Sequence, residues 1–144
     1  MNFLSRYLQV HCPNCSNQMT TAHIDGRHAP LCAKCDGRWL SGASITELLE
    51  REISAPSIRK ITEIADATGV LSEKRKCPSC ISTYLSTCEV RSVELDICVN
   101  CCGVFFDYGE ISKILPQAPE ETANGQAATT IALDALVLTL GSLL

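Results

Sequence analysis

Eight of the ten cysteines stand in four C-x₂-C pairs: Cys12-Pro-Asn-Cys15, Cys32-Ala-Lys-Cys35, Cys77-Pro-Ser-Cys80 and Cys98-Val-Asn-Cys101. The pairs combine two by two, across gaps of sixteen and seventeen residues. Each combination fits C-x₂-C-x₁₅₋₂₀-C-x₂-C, the spacing of a four-cysteine zinc site. A C-x₂-C turn places two sulfurs of one short segment on the same ion, and two such turns complete a tetrahedral shell. The spacing therefore predicts two Zn²⁺ ions, one held by Cys12, Cys15, Cys32 and Cys35 and the other by Cys77, Cys80, Cys98 and Cys101. Iron fits the same sulfurs and stays open as an alternative. Four protein ligands leave no position for water, so the expected sites are structural rather than catalytic.

Two cysteines remain. Cys102 follows Cys101 directly and holds the place of Asp36 in the first unit, so spacing makes Cys101 the ligand and Cys102 the spare. Cys88 falls inside the second intervening segment. Both are expected to be reduced thiols with no role, the alternative being that Cys102 exchanges with the zinc thiolates on oxidation. His11, His23 and His28 are expected to be ordinary surface histidines, since each shell is already filled. Trp39, Phe105 and Phe106 raise the possibility of base stacking, but their recurrence at one place relative to the cysteines favours a covering of the small core beside the metal.

The elements that must hold these groups come in two copies. From Cys32 to Leu49 a constant offset of 66 residues pairs Gly37 with Gly103, Trp39 with Phe105, Ile45 with Ile111, and Leu48-Leu49 with Ile114-Leu115. Between the cysteine pairs, residues 18–31 break at Asp25-Gly26, a strong hairpin signal, and residues 82–97 alternate around Arg91-Ser92. A helix should follow each hairpin. Asp107 and Glu110 read as a capping box before Ile111, Ile114 and Leu115, while Ser41 and Ser44 offer a weaker version. After a break at Ser54-Ala-Pro56-Ser57, Ile58, Ile61, Ile64 and Ala65 form a second amphipathic series ending at Gly69, and residues 69–76 read as a polar connector.

The expected fold is a small, metal-stabilised α+β protein. It comprises a first unit at 12–49, a helical connector at 50–76, a second unit at 77–115, a linker at 116–126 and a hydrophobic C-terminal helix at 127–144. A hairpin and one short helix bury too little apolar surface to offset chain entropy, so the metal supplies the missing free energy. Removing one ligand should then unfold its own unit.

Of 144 residues, 46% are hydrophobic but only 5% aromatic, and the formal charge is −4. The charge is uneven: residues 1–76 hold ten Lys and Arg against eight Asp and Glu, and residues 77–144 hold two against eight. Loading each four-thiolate site with Zn²⁺ makes the chain more acidic, which disfavours non-specific binding to a phosphate backbone. Lys74-Arg75-Lys76 is expected to be a solvated connector rather than a nucleic-acid patch.

The start, MNFLSRYLQVHC, lacks the apolar run of a secretory signal, so a reducing cytoplasm is expected, where spaced cysteines bind metal. The tail, AATTIALDALVLTLGSLL, is long enough to cross a bilayer but carries Asp134 near its middle, at a cost of about 3 kcal/mol on insertion scales. Packing on the helices or self-association is favoured for it, with membrane contact as the alternative.

With these residues in view, each unit resembles the transcription-factor-IIB-like zinc ribbon, a bacterial module whose pattern runs C-P-x-C, a hairpin, then C-x-x-C-x-G-x-W-L-D-x-G-E-L. In the second unit Cys77, Pro78, Cys80, Cys98, Cys101, Gly103, Asp107, Gly109 and Glu110 match, with Phe105 in the tryptophan place and Phe106 in the leucine place. In the first unit Cys12, Pro13, Cys15, Cys32, Cys35, Gly37, Trp39 and Leu40 match, while Ser41, Ala43 and Ser44 stand where the family has Asp, Gly and Glu. The G-x-W-L-D-x-G-E extension makes the match specific. If the acidic edge it forms is a docking surface, the first unit has lost it.

The family's name implies nucleic-acid or polymerase work. No nucleophile paired with a base, no phosphate loop and no open metal site is visible. The expected function is therefore a non-catalytic zinc-binding interaction or adaptor module linked to transcription, with a protein partner. A nucleic-acid-binding regulator, supported by Lys34 and Arg38, and a thiol-based redox sensor or chaperone using Cys102 and Cys88 are the alternatives.

Overall fold

The computed structural model describes residues 10–51, 56–80 and 82–115. The linker and the hydrophobic segment expected at 116–126 and 127–144 lie outside the described residues.

The first unit begins with strands β1 (His23–Ile24) and β2 (Arg27–His28), joined at Asp25-Gly26 with φ of 48° and 76°. Two consecutive left-handed residues make the tight turn whose twist suits a hairpin. Beyond β2 the pairing continues through a bond from the Ala29 amide to the Ala22 carbonyl at 2.7 Å and an isolated bridge between Thr20 and Leu31. Strand β3 (Arg38–Leu40) leads into helix α1 (Gly42–Arg51), and α2 (Ile58–Thr68) follows. The second unit has a full ladder of β5 (Tyr84–Val90) against β6 (Val93–Ile97), turning at Arg91-Ser92, both left-handed. Strand β7 (Val104–Phe106) and helix α3 (Glu110–Ile114) complete it.

Residues 69–76, expected as a polar connector, instead form strand β4 (Val70–Lys76), antiparallel to β5. Its side chains are mostly exposed, as an edge strand rich in charge requires. The Ser72 hydroxyl accepts from the Lys74 and Arg75 amides, so the strand is irregular there and part of its edge is already satisfied.

The two units are not separate beads. Strand β3 of the first pairs with β7 of the second, giving one five-stranded sheet in the order β3-β7-β6-β5-β4. Arg38 faces Phe106, Trp39 faces Phe105 and Leu40 faces Val104. Trp39 and Phe105 are the equivalent residues of the two copies, so the antiparallel pairing is centred on a residue and its own counterpart. This is the self-complementary arrangement of a two-fold dimer interface, here built within one chain.

Helix α1 presents Ile45, Leu48 and Leu49, α2 presents Ile61 and Ala65, and α3 presents Ile111 and Ile114 to a core shared with Leu40, Val90, Leu95, Ile97 and Phe106. The helix caps reverse the expected order of strength. Ser41 is a true N-cap, its hydroxyl accepting from the Ser44 amide at 3.2 Å. In the second unit only half of the capping box forms: the Glu110 carboxylate accepts from the Asp107 amide at 2.8 Å, while Gly109, at φ 86°, precedes the helix and makes no side-chain cap.

Candidate metal centres

The structure gathers the eight paired cysteines into two groups of four, with the sulfurs of each group all within 4.8 Å of one another. In the first, Cys12 and Cys35 lie 3.5 Å apart, Cys15 and Cys32 3.4 Å, and Cys15 and Cys35 4.0 Å. In the second, Cys77 and Cys101 lie 3.6 Å apart and Cys80 and Cys98 3.9 Å. A tetrahedral ion with metal–sulfur bonds of about 2.3 Å separates its ligands by about 3.8 Å, so the sulfurs already stand at the corners zinc requires.

The turns that set these corners repeat. In the three C-x₂-C segments whose following residue is described, that residue is left-handed: Ser16 at φ 60°, Asp36 at 57° and Cys102 at 58°. The amide of each returns to the first cysteine's carbonyl, at 2.8, 2.9 and 2.8 Å. Cys102 thus occupies a backbone position that shapes the turn, and it lies outside the sulfur quartet. Since asparagine adopts this conformation more readily than cysteine, Cys102→Asn should still bind two zinc ions and unfold at an equal or higher denaturant concentration. Loss of one zinc on metal analysis would make Cys102 a ligand after all.

The chemistry of the donors calls for a cation. Burial pushes the Cys12 and Cys77 thiols up, helped by the neighbouring sulfurs Cys35 and Cys101 respectively, and burial also raises Cys35 and takes Cys101 to about 11. Burial acts upward on Cys15 too, but the Asn17 amide and side chain and the neighbouring thiols bring it down to about 6. The Asn100 side chain lowers Cys80. Each quartet therefore has one readily ionised outer sulfur and inner sulfurs that cannot all ionise without a compensating charge, which a divalent ion supplies. Asn17 and Asn100 donate to Cys15 and Cys80 at 3.2 and 3.3 Å, and the Cys80 amide points at Cys77 at 3.3 Å. Such bonds offset thiolate charge around the metal.

The other sequence candidates sit elsewhere. His11, His23 and His28 are exposed, the last two facing each other across the first hairpin with ring centroids 5.9 Å apart. Cys88 is buried in the main core, where desolvation raises its pKa. Trp39, Phe105 and Phe106 are 3%, 0% and 1% exposed, so they fill the core and present no face to a base. Arg38 is 2% exposed and its guanidinium reaches the Ala29 carbonyl, which removes it as a phosphate contact.

Nothing in the cysteine spacing marks Arg75, yet it ties the two units together. Its guanidinium pairs with Asp96 and, at 3.2 Å, with Asp107, and donates to Asn14 of the first unit's C-P-N-C turn at 3.1 Å. Asp107, read as a cap and as part of an acidic edge, is thus engaged with an arginine.

Glu110, half-buried, is pushed from 4.5 to about 7 by burial, by Asp107 and by Asp96, against the pull of the Asp107 amide and Lys113. A carboxyl with a raised native pKa adds stability that is fully present below the unfolded value and is lost as pH rises through the native one. Glu110→Gln should therefore stabilise the loaded protein, and its advantage should widen between about pH 6 and pH 8 by about 0.5 to 1 kcal/mol after allowance for solvent screening. Parallel thermal melts of both proteins at the two pH values check this; an advantage independent of pH would contradict it.

A sequence model of the transcription factor zinc-finger family matches residues 11–51 and 76–117, more than half of the chain. No curated protein and no solved structure matches it. Two matched segments, each with its own sulfur quartet of zinc geometry and its own hairpin and helix, agree on one conclusion: the chain belongs to the transcription factor zinc-finger family and carries two zinc ribbons, with one Cys₄ Zn²⁺ site in each.

Proposed function

We propose that the protein is a non-catalytic, zinc-held adaptor whose partner is another protein. The observation that carries this reading is the filling of both metal shells by the chain's own sulfurs, a donor set that leaves zinc no position for water or substrate. Burial of Arg38, Trp39, Phe105 and Phe106 takes these four away from phosphate contact and base stacking, and of the two basic residues that favour a nucleic-acid partner only Lys34 is exposed. The side chains left outward include Val70, Leu71, Val99 and Tyr108, at 71%, 63%, 41% and 52% exposure, which suits a protein surface better than a phosphate backbone.

The family's name makes the protein subunits of the transcription machinery the first partners to test, and a cytoplasmic setting goes with the reduced thiols. Among the described residues no helix is long and apolar enough to cross a membrane.

The test compares the full zinc-loaded chain against purified transcription proteins and against DNA and RNA. Saturable protein binding, with no nucleic-acid binding even at low salt, is expected. Nucleic-acid binding that weakens steeply with salt would replace this reading by that of a nucleic-acid regulator.

A further inference from the structure

We infer that the two zinc sites form one thermodynamic unit, so that emptying either loosens the other and the protein responds to zinc supply as a two-ion switch. Four contacts across the ribbon boundary carry this. The Trp39 indole N–H of the first ribbon donates to the Ser79 hydroxyl, inside the second ribbon's C-P-S-C turn, at 3.2 Å. In the mirrored place, Asn14 of the first ribbon's C-P-N-C turn accepts from Arg75, which is anchored on Asp96 and Asp107 of the second. Gly37, two residues after Cys35, lies against the Phe105 ring so closely that a Cβ would overlap it, and Gly103, two residues after Cys101, lies equally close to the Trp39 indole.

The sulfurs themselves share one core. Cys12 and Cys32 of the first site pack with Cys77 and Cys98 of the second around Trp39, Phe105, Met19 and Leu85. Releasing zinc from one quartet frees its two turns, and those turns hold one wall of the pocket in which the other ribbon's aromatic sits. The free energy of zinc at one site is thereby spent partly on ordering the other, which defines a coupling between them. Two independent ribbons would lose their ions one at a time; this pair should lose them together, within a narrow range of free zinc.

The experiment uses the full chain and a competing chelator, with zinc counted on the protein. Cys15→Ser removes a ligand of the first site only. The zinc it keeps on the second site is expected to leave at a chelator concentration at least about tenfold below that needed for either ion of the unaltered protein. Retention at the unaltered concentration overturns the inference.

Since a ligand variant can fail to fold, Trp39→Phe provides a second test with all eight cysteines in place. It removes the bond to Ser79 and part of the shared packing, and both ions should become easier to extract. If only one ion is loosened, the sites are separate and the inference fails.

Discussion

Stripping both zinc ions with excess chelator near neutral pH should unfold the whole ordered body, helices included, and restoring zinc should refold it. Trp39 is the sole tryptophan and lies 3% exposed between the two sites, so its fluorescence reports the event directly. Emission should move to that of solvated indole as the last zinc leaves, and backbone amide protection in β5 and β6 should vanish with it. The size of the effect follows from two quantities. Structural zinc supplies about 10 to 16 kcal/mol of apparent folding free energy per site. A small domain without metal or disulfides has only about 3 to 5 kcal/mol from its core. The shared cluster around Trp39 is walled by Cys12, Cys32, Cys77 and Cys98, so removing the ions leaves crowded thiols where a packed wall had been. A zinc-free protein whose tryptophan stays buried would show that the sheet and helices stand on their own.

The metal ligands were legible in the sequence because a C-x₂-C turn is a local object: its spacing alone decides whether two sulfurs can reach one ion. The hairpin at Asp25-Gly26 was legible for the same reason, and Arg91-Ser92 turned the second unit's hairpin despite lacking glycine because the flanking alternation in β5 and β6 left it no other role. Local signals failed where long-range pairing decided the outcome. Residues 69–76 carry the charges of a connector, yet β5 offered a free edge and the segment took it.

The caps show a subtler failure. Asp107 and Glu110 make the better capping box on paper, but Arg75 faces the Asp107 carboxylate from 32 residues away, leaving the plain Ser41 as the fuller cap. Nothing in either copy alone indicates that β3 and β7 pair, although the shared G-x-aromatic spacing after each C-x₂-C was the trace of it. Gly37 and Gly103 are equivalent positions of the two copies. In the structure the left-handed turn positions are Asp36 and Cys102, and the glycines serve a different end.

That end gives the second large effect: Gly103→Ala should destabilise the zinc-loaded protein by about 1 to 3 kcal/mol, in the range of an overpacked core. Both glycines have ordinary negative φ, so the added methyl brings no backbone strain and its cost is purely one of space. A Cβ at Gly103 would overlap Cζ2 and Cη2 of Trp39. The indole has nowhere to go, because it is 3% exposed, its strand is paired to β7, and its N–H is held by Ser79. Relief must come from separating the two ribbons along β3 and β7, which pulls the edge strand β3 away from the rest of the sheet. Chemical denaturation with zinc present measures the loss. A double-mutant cycle then locates it: Trp39→Ala alone should cost about 3 to 5 kcal/mol, but once the ring is gone the Gly103 methyl has room. The double variant should therefore lose less than the sum of the two by at least about 1 kcal/mol. Strict additivity would mean that Gly103 is required for a reason other than the indole, and the closeness of the two ribbons would no longer explain why a glycine stands at that position.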